Sequence, residues 1–222
     1  MDCPAAGSGI PSSGIRNLAA ASPLRCLGRW VLVWIAIAAC ILPCVLFIDH
    51  PLALLLRERL APNRWASRIV HFPELLVAIA FLGVAALGVW RAVFGRLRGA
   101  WHAAFVLGIG LCVALAVKTE LKLLFGRVPP EAWFRHQSAP LRNFHMLYAG
   151  SFPSGHMTML GVLTPFLWAY APSWLRLPWL LACAAVGFSL MVMGAHFLTD
   201  LIAGALLGVT VGAACRRIAR DR

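Results

Sequence analysis

The sequence predicts an all-α, polytopic membrane protein of six transmembrane helices, and three observations predict it. Of 222 residues, 61% are hydrophobic and only 13% are charged. An ordinary soluble domain is about 45–50% apolar and about 25% charged. One soluble core cannot absorb that excess, so lipid is the solvent the composition fits. Apolar stretches near the ~20 residues that a helix needs to cross a bilayer recur along the chain. Arginines and tryptophans stand between them, as they do in loops and at membrane interfaces.

Residues 1–28 begin with a stretch rich in Gly, Ser, Ala and Pro and are expected to be a disordered tail. The membrane domain is expected over 29–217, with a basic tail at 218–222. The first span is Trp30–Ile48, read as a retained helix because no small-residue cleavage site follows it. Residues 49–71 carry Arg57, Glu58, Arg59, Arg64 and Arg68, too many charges for a span, so Leu52–Leu56 is expected at the interface. The second span is Pro73–Trp90. The third is His102–Leu124, with Lys118, Glu120 and Lys122 in its final turns. A polar loop, Gly126–Phe152, leads to the fourth span, His156–Ala171. Leu177–Met193 and Phe197–Cys215 complete the set. The chain shows no internal repeat.

The net charge is +12, which suits nucleic acid, anionic lipid or cytoplasmic loops. Here the arginines are spread between apolar runs and form no compact cluster, so the partner expected is the bilayer and not nucleic acid. The seven cysteines include no Cys-x-x-Cys pair and read as small apolar packing residues.

Three short segments carry chemistry. Pro153-Ser154-Gly155-His156 directly precedes an apolar helix. Ser154 suits a helix N-cap, Gly155 admits a ligand close to the backbone, and helix-start amides bind phosphate. His156 is placed to donate a proton to oxygen; the bland reading is a cap beside an incidental histidine. His196 and Asp200 are spaced i, i+4, which puts them on one helix face. A carboxylate on one imidazole nitrogen leaves the other free as a nucleophile. The alternative is a satisfied polar pair, although ionisable groups in a span are usually functional. Lys122 and Arg127 put two cations at the end of the third span, as phosphoryl transfer requires, or as a basic helix end near headgroups would also have.

Together these segments resemble the type-2 phosphatidic acid phosphatase superfamily over about Lys118 to Gly208. That family carries a Lys, six residues and Arg-Pro; then Pro-Ser-Gly-His; then Ser-Arg, five residues, His, three residues and Asp. Lys122 and Pro130 match the first motif, and Arg127 matches an arginine often seen within it. Pro153 to His156 match the second, and Ser189, His196 and Asp200 match the third. Two arginines are replaced, by Pro129 and Leu190.

The resemblance implies a helical bundle of that family in the inner membrane, hydrolysing a lipid phosphate without metal or other cofactor. His196 would form a phosphohistidine, Asp200 would orient it, and His156 would protonate the leaving oxygen. Lys122, Arg127, Ser154 and Gly155 would hold the phosphate, with Arg142 compensating for the missing arginines. The lipids implied are lipid A phosphate, polyprenyl diphosphate, phosphatidylglycerophosphate and phosphatidic acid. A lipid phosphotransferase and a non-catalytic lipid-binding member are the alternatives. Trp133, Phe134, Asn143 and His145, in the polar loop, are read as candidates to shape the pocket, with surface or interface anchoring the favoured role for each.

Six spans put Lys122, Arg127, His156 and His196 on one membrane face and both termini on the other. The terminal side holds eleven Lys and Arg against nine on the site side, so the positive-inside rule places the termini in the cytoplasm and the site outside. A periplasmic reporter fused after His136 should therefore be active, and one fused after Arg222 inactive. The reverse pattern would overturn this orientation.

Overall fold

The computed structural model describes residues 35–37, 39, 41–60, 64–136, 143–146 and 150–220. The tail expected over 1–28 and the candidate ligand Arg142 lie outside the described residues. The chain divides into a unit Met1–Ala39 and a unit Cys40–Arg222; in the first, residues 35–37 and 39 are helical. In the second, a π-helical turn at Cys44–Ile48 leads into α1, Asp49–Arg59. Then follow α2, Arg64–Phe94; α3, Gly99–Phe125; the short α4, Pro130–His136; α5, Gly155–Tyr170; α6, Arg176–Val192; and α7, Leu198–Arg220.

Five segments among the described residues are long and apolar enough to cross a membrane: Ile35–Arg59, Val77–Phe94, Gly99–Phe125, Ser173–Val192 and Leu198–Arg220. The remaining expected span is α5, which has 16 residues. That is about 24 Å of helix against a hydrocarbon core of ~30 Å. The protein is thus a multi-pass membrane bundle, with five full-length spans and one short helix where six spans are expected.

Residues 49–71 differ from expectation. Helix runs through Asp49 to Arg59, and α2 resumes at Arg64. The arginines fall at the facing ends of these two helices, where long side chains can reach headgroup depth. Asp49 is the exception, and its burial has a specific partner described below. The last helix also reaches Arg220, so residues 218–220 are helical and not a separate tail.

The closest packing is between α5 and α7. Gly204, Gly208 and Gly212 recur every four residues on α7 and face α5, where Gly161 faces back. A methyl on Gly161 would stand only 2.6 Å from the Ala205 carbonyl oxygen, and one on Gly212 would press on the Val162 carbonyl. Small residues at this spacing let membrane helices approach backbone to backbone, where lipid gives no hydrophobic drive for association. The seam begins at the heads of both helices, with Gly204 against the Ser154 carbonyl. Helix α3 packs beside this pair, its Leu111 and Ala114 against Val162 of α5. A second apolar cluster, Val70, Leu160, Val186, Leu190 and Leu201, joins α2, α5, α6 and α7. Large apolar side chains on α2, including Ile79, Leu82 and Val89, remain exposed, as a lipid-facing surface requires.

Candidate active site

Gly126 ends α3 in the left-handed conformation, with φ 50° and ψ 41°, its amide bonded to the Lys122 carbonyl. That C-terminal glycine turn redirects the chain so that Arg127 enters the protein. Its backbone is then pinned on both sides. Arg127 bridges Phe144 in antiparallel fashion, and the Ser151 amide donates to the Arg127 carbonyl at 2.7 Å.

The Arg127 side chain is fully buried. Its Nη1 donates to Asp200 Oδ1 and to Thr199 Oγ1, both at 2.7 Å, and its Nη2 donates to Asp49 Oδ2 at 2.7 Å. The Thr199 hydroxyl in turn donates to Asp49 Oδ2, and the Thr199 amide donates to Asp49 Oδ1 at 3.1 Å. The guanidinium lies 4.2 Å from the centre of the Phe197 ring, within cation–π range. Two carboxylates around one guanidinium leave an excess negative charge. The start of α7 meets it with the Thr199 amide, and the residue just before the helix with the Phe197 amide, which donates to Asp200 Oδ2 at 3.0 Å. Carboxylates are stabilised at this end of a helix.

Arg127 therefore stands elsewhere than expected. Its terminal nitrogens are committed to Asp49, Asp200 and Thr199, with no surface left for a phosphate oxygen. The physical reason is burial. A guanidinium keeps its charge, so inside the bundle it requires carboxylate partners.

His196 lies in the bend between α6 and α7. Gly194, at φ 68°, makes that bend possible, and the Glu131 amide ties it to α4 through the Gly194 carbonyl at 2.9 Å. His196 thus precedes α7 and does not share a helix face with Asp200, yet its Nδ1 still faces Asp200 Oδ2 at 3.6 Å. That is ion-pair range and longer than a hydrogen bond.

Ser154 occupies the N-cap position of α5 but makes no side-chain cap bond. Its amide donates to the Asp200 carbonyl at 3.0 Å, which docks the head of α5 on the first turn of α7. Ser154 is fully buried, and among the described residues its hydroxyl has no hydrogen-bond partner. Gly155 and the half-buried His156 begin the helix. Lys122, in the last turn of α3, is within charge–charge range of Asp200. Lys122, Ser154, Gly155, His196 and Asp200 are thereby assembled around the heads of two helices.

The replaced arginine positions offer nothing polar to this site. Leu190 is buried in an apolar cluster, and Pro129 uses its carbonyl to accept the Trp133 amide. Two residues expected as surface or interface anchors are buried instead. Trp133 stacks on His50 with ring centres 4.1 Å apart, and Asn143 is 1% exposed. Asp49, Thr199 and Lys118 are not among the site residues that the sequence predicts. Asp49 carries one sequence signal, an acid inside an otherwise apolar run.

The PAP2 superfamily model matches residues 99–222. The fold is similar to the crystal structure of a transmembrane PAP2-type phosphatidylglycerolphosphate phosphatase from Bacillus subtilis, with a TM-score of 0.61 and 21% identity, over 86% of this chain and 94% of that one. No curated protein matches the chain.

The buried triad generates a stability prediction. Removing one partner of a buried ion pair typically costs about 3–5 kcal/mol. Asp49→Ala should lower unfolding stability in detergent by about that amount, and Arg127→Lys should also be costly, because an ammonium lacks the planar fork that spans two carboxylates. Arg57→Ala, on the exposed end of α1, is the control. A loss for Asp49→Ala no larger than for Arg57→Ala would contradict the assignment.

Proposed function

The chain belongs to the PAP2 superfamily, and from that premise we propose that it is a lipid phosphatase working through a phosphohistidine on His196. It is a phosphoric ester hydrolase with a multi-pass membrane fold. The observation that most favours the finer reading is the meeting of two helix heads. Ser154 and Gly155 open α5, Asp200 lies in the first turn of α7 with His196 just before it, and the Ser154 amide binds the Asp200 carbonyl. Nucleophile, orienting carboxylate and anion-binding amides are thus drawn from two elements that the glycine seam holds together.

In this mechanism Asp200 attracts the Nδ1–H of His196 and leaves Nε2 with its lone pair for phosphorus. Nε2 attacks, the bond from phosphorus to the lipid oxygen breaks, and His156 gives that oxygen a proton. His156 then takes a proton from water, the water attacks the phosphohistidine, and phosphate and free His196 result. Lys122, the Ser154 hydroxyl and the Gly155 amide hold the phosphoryl oxygens. Arg127 acts behind them, fixing Asp200. The buried Ser154 hydroxyl, without a partner among the described residues, supports a polar ligand at this point, since buried polar groups are normally hydrogen-bonded. The substrate is a lipid phosphomonoester or diphosphate in the inner membrane, reached from the outer leaflet. Phosphatidylglycerophosphate, after which the Bacillus subtilis phosphatase is named, is one candidate beside phosphatidic acid, lipid A phosphate and polyprenyl diphosphate.

His196→Ala should abolish phosphate release and any acid-labile phosphoenzyme formed from a radiolabelled lipid phosphate. His156→Ala should slow poor leaving groups most, since general acid help is typically worth about 10²–10⁴-fold. Chelator should leave the rate unchanged. A strict divalent-metal requirement, or a phosphoenzyme that survives His196→Ala, would overturn the mechanism.

A further inference from the structure

Phosphoryl transfer concentrates negative charge that cations must meet from several sides, and this chain has given up its usual means of doing so. Pro129 and Leu190 stand where the family has arginines, and Arg127 is committed to carboxylates. Lys122 alone would leave the site short of positive charge.

Lys118 lies one turn before Lys122 on the same face of α3. Its side chain crosses the first residue of α5. A methyl placed on Gly155 would stand 3.3 Å from Lys118 Cδ and 3.6 Å from its Nζ. The ammonium therefore sits over the head of α5, whose N-cap residue Ser154 has a buried hydroxyl with no partner among the described residues. Lys122 is within charge–charge range of Lys118. Among the described residues, neither lysine forms an ion pair with a carboxylate. Like charges at i, i+4 on a helix repel, and ionisable groups in a membrane span are expensive and usually functional. A bound anion between them would relieve both costs.

We propose that Lys118 is a phosphate-binding residue, joining Lys122, the Ser154 hydroxyl and the Gly155 amide in place of the missing arginines. This rests on the phosphatase reading and adds a ligand to it. It also gives Gly155 a second role, because a side chain there would crowd the lysine stem. The site this makes is two flexible ammoniums and a hydroxyl in place of a planar guanidinium fork. Such a site holds phosphate by charge more than by bidentate geometry.

The test uses the full-length protein in detergent, with Lys118→Gln, Lys118→Met and Lys118→Arg, and Arg91→Ala as a control outside the site. Two quantities are read: binding of inorganic phosphate and of orthovanadate by calorimetry, and kcat/KM for release of phosphate from phosphatidic acid and phosphatidylglycerophosphate. A charge-assisted contact of this kind is worth roughly ten- to a hundred-fold. Lys118→Gln and Lys118→Met should each weaken orthovanadate binding and lower kcat/KM by about that factor, with an unchanged melting temperature. Lys118→Arg should recover most of both. Wild-type orthovanadate affinity in a folded Lys118→Gln protein that still turns over lipid would sink the role of Lys118 and leave the phosphatase reading intact. A wild-type protein that neither binds orthovanadate nor releases phosphate would sink both.

Discussion

A guanidinium that keeps its charge inside a membrane bundle sets the terms for the rest of this structure. Arg127 is fully buried, and it is held by residues 72 to 78 positions away in sequence: Thr199 and Asp200 at the head of α7 and Asp49 at the head of α1. Taking such a charge out of water costs several kcal/mol, which close carboxylate partners on its terminal nitrogens offset. The three partners are therefore mutually dependent. Asp49 without Arg127 would be an unpaired carboxylate within an apolar span. Asp200 without it would lose the 2.7 Å partner of its Oδ1, leaving the Phe197 amide to hold Oδ2, the oxygen that faces His196.

From that anchor the positions of the proposed reactive groups follow. The head of α7 is fixed by Asp49 and Arg127, and the head of α5 is bonded to it through Ser154 and Asp200. The two helices can run that close because Gly161, Gly204, Gly208 and Gly212 remove the side chains between them. Charge is divided by chemistry. The permanently ionised, planar arginine bridges two carboxylates behind the site, while Lys118 and Lys122, single charges on flexible stems, are left near the helix heads.

Much of this is legible in the sequence, and the remainder is hidden for physical reasons. Apolar length and interfacial arginines locate the membrane helices, and the motif around Ser154 and the pair His196 and Asp200 locate the two helix heads. The end of the first span is harder to place, because Arg57, Glu58 and Arg59 count against a span in a window average, although at the end of a helix they can reach water. Asp49 escapes notice because its worth lies entirely in partners far away in sequence. Arg127 reads as a phosphate ligand because spacing shows that a cation is near the site, not which way it turns. The glycine seam is in principle readable as three glycines at four-residue intervals on α7. Trp133 is expected at an interface, where tryptophan is common. It is buried because α4 lays it flat against His50, a contact between elements that no local pattern encodes.

The proposed division between a structural arginine and phosphate-binding lysines can be observed directly by solving the structure of the full-length protein with orthovanadate bound. Arg127 should remain on Asp49 and Asp200, while the vanadate oxygens lie within hydrogen-bond distance of Lys118, Lys122 and the Ser154 hydroxyl, with His196 facing the vanadium. A structure in which Arg127 has left both carboxylates to grip the vanadate, with Lys118 turned away, would contradict it.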